Sequence, residues 1–175
     1  MTAIINAVTH PGPSSCRIPA TWFTLVSETE CTDILDRWRA GDEIAAHTVS
    51  HLRMFAHLPH ATLSKEILGS RQAILECGLP DHAVRGFRGP HLVHGPAARK
   101  ILFDHGFLYD SSIVAYNLNV SHRLWPYTMD KGIPQNCYSV KRKSAVCEEG
   151  ERYPGMWEIP VGSIRVCFLL LCFSF

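Results

Sequence analysis

Several things are missing from this 175-residue sequence, and each absence narrows what it can be. It has no apolar run of the roughly 20 residues that a membrane-crossing helix needs. The most apolar stretch, Val166 to Phe175, falls well short, so no membrane span is expected. Met1 to Pro13 has no basic start followed by an apolar run, so no signal peptide is expected in these residues. There is no CxxC pair among the seven cysteines, which argues against a thiolate zinc site. There is also no excess of charge. A formal net charge of +1 gives no electrostatic pull toward nucleic acid or an acidic membrane surface. Repeats, long linkers and low-complexity tracts are absent as well.

What remains is ordinary globular composition, 46% hydrophobic and 19% charged, in a chain long enough for one domain and too short for two comfortable ones. The cysteines are numerous for a reducing compartment, and their usage favours an oxidising, secretory one. Cys137 and Cys147 bracket a loop containing Lys141, Arg142 and Lys143 and read as a disulfide pair. Cys16 and Cys31 flank a strand-like segment and could also pair. The odd count leaves at least one thiol free or available to another chain.

Strand-like and helix-like segments alternate along the chain. Strands are expected over Ala20–Val26, Glu43–His47, Arg85–Arg88, Phe107–Ser111 and Trp157–Val161, from short β-branched and aromatic runs. Helices are expected from Thr32, as N-cap, through Ala40 with Gly41 as the stop, over Leu63–Cys77, and from Pro96 through His105 closed by Gly106. Strands separated by helices imply an α/β fold with a parallel sheet, doubly wound or barrel-like. In either case ligands gather at the carboxyl ends of the strands, near His47, Arg88, Asp110 and Pro160.

Two segments there could carry chemistry. In His47-Thr-Val-Ser-His51 two imidazoles stand at i and i+4 after a strand, and a helical turn between them would aim both at one point. Neutral imidazoles suit zinc or cobalt, and a third, carboxylate ligand would leave an open catalytic position. The plainer alternative is a chance pair among ten histidines, with His47 a hydrogen-bonded strand-end residue. In Gly86-Phe-Arg-Gly-Pro-His91, Arg88 could hold a carboxylate through a paired bond, or simply make a surface salt bridge. The following turn could aim a backbone N–H at a developing oxyanion. Spacing alone does not choose.

Taken together and in order, these segments resemble the NodB-like polysaccharide deacetylases, carbohydrate esterase family 4. His47–His51, after Gly41-Asp-Glu-Ile-Ala-Ala, is similar to that family's second motif, and Gly86–His91 to its third. Phe107-Leu-Tyr-Asp-Ser-Ser112 is similar to the strand that follows. Leu124-Trp-Pro-Tyr127, Gly132-Ile-Pro134 and Tyr153–Pro160 are similar to a later stretch of chitin-deacetylase-like members. The resemblance covers roughly Thr2 to Gly162. It implies a partial deacetylase domain over residues 1–165, folded as a distorted (β/α) barrel. Residues 166–175 then read as a tail foreign to the domain, from an incomplete gene model, rather than as a buried terminal strand.

The resemblance further implies hydrolysis of N-acetyl groups on a β-linked N-acetylglucosamine polysaccharide such as chitin, in an extracellular or secretory setting. Zinc, or another divalent transition metal such as cobalt, would be held by His47, His51 and an aspartate. Arg88 would orient a second aspartate acting as base, and the backbone N–H of His91 would meet the oxyanion. Pro90 and Trp157 are the substrate-binding candidates, with Trp22 and Trp125 as further aromatic faces for sugar. His91 stands where family members commonly carry an aromatic such as tyrosine.

Two further motifs of the family are not matched. The aspartate pair, Thr-Phe-Asp-Asp, should lie just before Thr2, and the Leu-His pair carrying the general acid should follow Val161. Asn6 and His10 do not replace the first, and Asp110 and Glu158 read as structural. The expectation is therefore a chain truncated at both ends and inactive as written. The alternatives are a catalytically dead polysaccharide-binding protein, a gene-model fragment, or an unrelated zinc hydrolase.

Overall fold

The computed structural model describes residues 19–53, 57–115, 125–134, 147–148 and 150–162. The expected segments at Asn6, His10, Cys16, Lys141–Lys143 and the tail 166–175 lie outside the described residues.

The first strand, β1 (Thr21–Thr24), is shorter than the apolar run suggests, because the chain bends into a single 3-10 turn at Val26–Glu28. Its start is tied down by Asp42, whose carboxylate accepts from the Ala20 amide at 2.8 Å and the Trp22 indole at 2.9 Å. Helix α1 (Cys31–Arg39) begins after Glu30, which makes no side-chain cap. Thr32 therefore sits inside the first turn and is not the N-cap. Gly41, at φ 85, ends the helix as expected, since this left-handed turn favours a residue without Cβ.

Strand β2 (Glu43–Ala46) leads to helix α2 (His60–Glu76), which starts three residues before Leu63. Strand β3 (Gly86–Phe87), helix α3 (Pro96–Asp104) and strand β4 (Tyr109–Asp110) follow. Three short strands come next: β5 (Val114–Ala115), β6 (Tyr127–Met129) and β7 (Tyr153–Glu158), and the last is β8 (Val161–Gly162). Sequence reading missed β5 and β6, which are too short to show alternation. The strand expected over Trp157–Val161 is two strands in different sheets, divided at Pro160, which has no N–H to give a ladder.

The main sheet runs β1-β2-β3-β4-β7-β6, parallel throughout except that β6 lies antiparallel to β7. Strands β5 and β8 form a separate parallel pair. The α/β class with a parallel sheet is thus the one expected. Closure of a barrel is not seen among the described residues. Paired residues on parallel strands share a face. On one face Ile44, Ala46 and Phe87 pack with Leu63 and Ile67 of α2 and Ile101 and Leu102 of α3, all buried. Each of these side chains larger than alanine contributes roughly 1.5–3 kcal/mol by leaving water. On the other face the Tyr109 ring crosses Gly86, where an added Cβ would come within 2.0 Å of it, and donates to Glu43 Oε1 at 2.9 Å.

Two covalent or ionic ties complete the frame. Cys31, opening α1, is bonded to Cys77, which caps α2, with Cα atoms 5.1 Å apart. This overturns the expected Cys16–Cys31 pair: the fold brings two helix ends together that lie 46 residues apart in sequence. Cys147 is also disulfide-bonded, and its expected partner Cys137 lies outside the described residues. Arg99, fully buried, donates to both carboxylate oxygens of Glu151 at 2.8 and 2.9 Å and to His94 Nδ1 at 2.8 Å. Tyr153 donates to the same carboxylate at 2.9 Å, so this network locks residues 151–153 onto α3.

Candidate metal centre and active site

His47 follows β2 directly, and its amide continues the ladder by donating to Thr24 O at 3.0 Å. Its Nδ1 lies 2.7 Å from the carbonyl oxygen of Arg88. A carbonyl only accepts, so Nδ1 carries the proton and Nε2 of the neutral ring presents a lone pair. Burial lowers the His47 pKa below the ordinary imidazole value. The Arg88 carbonyl opposes that, and the neighbouring His51, Arg88 and His91 add to the lowering. The ring is therefore neutral at physiological pH.

His51 Nε2 stands 3.1 Å from His47 Nε2. Two nitrogens each about 2.0–2.1 Å from one tetrahedral zinc lie about 3.3 Å apart, so this separation fits a single shared ion. The donor set also fits, because two lone pairs in this position need either a proton or a cation between them. Among the described residues no third histidine, cysteine or carboxylate joins them.

The convergence does not come from a helical turn. Thr48 (φ 70) and His51 (φ 54) both take left-handed backbone, which is unusual for any residue with a Cβ and most of all for β-branched threonine. Such positions cost on the order of 1–3 kcal/mol each and persist only where the surroundings enforce them. Here the His51 amide donates to Thr48 Oγ1 at 3.2 Å, and Ser27 N donates to Val49 O at 3.0 Å. The amides of Val49 and Ser50 donate to Glu66 Oε2 at 3.1 and 3.0 Å. Sequence reading missed Glu66. A signal was present: helical spacing puts it on the same stripe as Leu63, Ile67, Ser70 and Ile74, where a charged residue needs a partner.

Arg88 leaves β3 at the same end of the sheet, its amide bonded to Ala46 O at 3.0 Å. Its guanidinium lies over the Phe23 ring, 3.8 Å from the centroid. Nε donates to Ser111 O at 3.0 Å and Nη2 to Ser111 Oγ at 2.8 Å. No carboxylate is ion-paired with it among the described residues, so it is not a surface salt bridge there. Phe23 and Ser111 were not foreseen. Phe23 lies on β1, two strands from β3, and Ser111 follows β4 directly, so both approach Arg88 only through sheet pairing.

The turn after Arg88 also holds two left-handed residues, here consecutive rather than three apart. His91 (φ 53) and Leu92 (φ 57) are left-handed, Pro90 is buried, and the His91 ring centroid lies 4.6 Å from that of His51. The structure thus brings His47, His51, Arg88, Pro90 and His91 into one neighbourhood. No contact between Trp157 and these residues is seen among the described residues. Trp157 stands on β7, three strands across from β2, about 14 Å away at about 4.8 Å per strand. Its side chain is partly exposed on the sheet face that carries Tyr109. Asp110 and Glu158 point to the helix-covered face and are fully buried. Burial pushes the Asp110 carboxyl up to about 6 against the pull of Ser112 and Arg99, and Glu158 rises too, through burial and the nearby Asp110. Ser112 Oγ donates to Asp110, and the Ile113 amide to Glu158.

Comparison with known proteins gives the family. The sequence profile of the family described as polysaccharide deacetylase matches residues 14–109. Chitin deacetylase 1 of Bombyx mori is 34% identical over 131 residues, covering 72% of this chain and 24% of the relative. Chitin deacetylase 8 of the same organism is 28% identical over 155 residues, covering 86% of this chain and 39% of the relative. The chain therefore spans well under half the length of either. A crystal structure from Mycobacterium smegmatis, described as a polysaccharide deacetylase, superposes with a TM-score of 0.56 at 23% identity, covering 82% of this chain and 41% of that one, which supports the fold alone. From the profile match and the shared order of its segments, this chain belongs to the polysaccharide deacetylase family.

Proposed function

We propose that residues 1–165 form part of a metal-dependent deacetylase domain that hydrolyses N-acetyl groups on a β-linked N-acetylglucosamine polysaccharide, of which chitin is the leading candidate. The observation that carries this reading is the 3.1 Å approach of two imidazole Nε2 atoms, one of them fixed as a lone-pair donor by the Arg88 carbonyl. His47 and His51 would hold zinc or cobalt. Such an ion supplies Lewis acidity and brings the pKa of water toward neutrality.

The chain's own residues have separate tasks. Arg88, braced by Ser111 and Phe23, keeps N–H groups available to orient a carboxylate base. The turn from Pro90 to His91 would present the His91 backbone N–H to the developing oxyanion. Trp157 would offer an aromatic face to sugar away from the reacting group. The third ligand and the base, which the family resemblance assigns to paired aspartates, are not among the described residues. The Cys31–Cys77 disulfide suits a secreted protein in an oxidising compartment. Among the described residues no helix is long and apolar enough to cross a membrane.

The test is acetate release from N-acetylglucosamine oligomers with zinc or cobalt supplied. The 175-residue chain is expected to release none above background, since the acid and base roles are each worth about 10²–10⁴-fold. A form in which a Thr-Phe-Asp-Asp strand precedes Thr2 is expected to release acetate and to lose that activity on His47→Ala. Cleavage of other amides with no acetate from these oligomers would point instead to a different zinc hydrolase.

A further inference from the structure

We propose that Glu66, on helix α2 and outside both motifs, is a positioning residue for the metal centre: its carboxylate holds the His47–His51 loop in the one conformation that brings the two imidazoles together. The inference rests on the reading of that pair as metal ligands.

Besides the two histidine-ring contacts already given, four side-chain bonds at this loop are seen among the described residues, and three of them end on Glu66. Oε2 accepts from the amides of Val49 at 3.1 Å and Ser50 at 3.0 Å, and Oε1 accepts from Ser50 Oγ at 2.7 Å. The fourth is the Thr48 Oγ1 contact to the His51 amide, local to the loop. With left-handed backbone at Thr48 and His51, residues 49 and 50 are in neither helix nor strand, so their amides need an acceptor from elsewhere. Glu66 is buried, and among the described residues each hydrogen bond of its carboxylate goes to this loop.

The helix is shaped to receive the loop. One turn beyond Glu66, an added Cβ at Gly69 would lie 3.2 Å from Val49 Cγ2, so the loop rests directly against the helix. Leu63 and Ile67, buried on either side of Glu66, fix the helix to the sheet. The carboxylate is thus a rigid point from which the loop hangs. A glutamine could keep both amide bonds through its carbonyl oxygen, and Ser50 could turn its hydroxyl to accept from the amide group. An alanine would leave two amides with no acceptor.

The experiment uses the 175-residue chain with zinc as the probe, its affinity measured by competition with a chromophoric chelator. Wild type is compared with Glu66→Ala, Glu66→Gln and Met156→Ala. Amide hydrogen exchange at Val49 and Ser50 is followed in the metal-free protein. Glu66→Ala is expected to weaken zinc binding 10–100-fold, as loss of a group supporting metal ligands commonly does, and to speed exchange at those two amides. Glu66→Gln should stay within a few-fold of wild type in both. Met156→Ala, a core truncation on β7 three strands from β2, should lower the melting temperature while leaving zinc affinity unchanged, so a loss of affinity confined to Glu66→Ala is not explained by lost stability alone. Unchanged affinity and protection in Glu66→Ala would overturn the proposal, as would an equal loss of affinity in Met156→Ala. If wild type binds zinc no better than a His47→Ala, His51→Ala chain, the metal reading fails. Exchange at Val49 and Ser50 then decides by itself whether Glu66 holds the loop.

Discussion

His47 Nδ1 donates to the carbonyl oxygen of Arg88 across 2.7 Å, and this one bond joins the two sequence segments that carry the candidate chemistry. It sets the tautomer of a metal-ligand candidate from the backbone of the residue expected to orient the base. Altering the Arg88 side chain should therefore leave the His47 tautomer intact, because the carbonyl stays whatever the side chain is. The effects of the two residues can be separated by mutation.

The histidine pair should bind a divalent ion weakly in the 175-residue chain, since two neutral ligands lack the carboxylate that would complete the site. Changing either His47 or His51 to Ala should abolish what binding there is, as read by equilibrium dialysis with zinc or cobalt. Tight stoichiometric zinc surviving the double change would place the ligands elsewhere.

Arg88→Lys, made in an acetate-releasing form of the protein, should lower kcat far more than it changes KM. Lysine keeps the charge but cannot donate to Ser111 O and Ser111 Oγ while also offering a planar edge to a carboxylate. A drop of about 10²-fold or more in turnover is expected, similar to the loss of a preorganised donor. Steady-state kinetics comparing Lys with Ala at this position provide the check, and unchanged turnover in the Lys variant would remove Arg88 from the mechanism.

Acid should destabilise the fold through His94. Burial, and then the Arg99 charge, lowers its pKa from 6.5 to about 3, so the unfolded chain binds this proton more readily than the folded one. The stabilisation is fully present above the unfolded value and is lost as pH falls from there toward the folded one. Between pH 7 and 5 the loss amounts to about 2 kcal/mol. His94→Gln, whose carbonyl can still accept from Arg99, should lose about 2 kcal/mol less than wild type over that interval. Urea unfolding at the two pH values gives the comparison, and equal slopes would refute the assignment.

Removing the Cys31–Cys77 bond by a double change to Ser should destabilise the chain by about 4 kcal/mol on the chain-entropy estimate for a loop of this size. The measurement is the urea midpoint at neutral pH, without reductant for wild type. A difference under about 1 kcal/mol would mean that the α1 and α2 ends are held by packing alone.

Much of the plan could be read in advance because it depends on local patterns. The runs around Phe23 and Ile44, the periodic stripe of α2 and the stops at Gly41 and Gly106 each act over a few residues. They placed the main strands and helices to within a few positions. Where contributions are short or interrupted, local pattern gave out: β5 and β6 are too brief to alternate, and Pro160 splits one apolar run between two sheets. The Thr32 cap failed for a related reason. The helix starts one residue before Thr32, at Cys31, which is bonded to Cys77 at the end of α2, a partner that no local pattern shows.

The sequence by itself determined the order of elements, the parallel α/β class, and the family resemblance carried by His47–His51 and Gly86–His91. These are properties of residue type and spacing along one chain. Only the tertiary structure decided that Cys31 meets Cys77, that Glu66 supports the histidine loop, and that Arg88 is braced by Phe23 and Ser111. It also decided how the two imidazoles meet, through left-handed backbone at Thr48 and His51 rather than a helical turn. Each of these pairs residues on different elements or holds a costly local conformation. The energy that selects such arrangements comes from contacts between elements, which appear only once the sheet has set its register and the helices have packed on it.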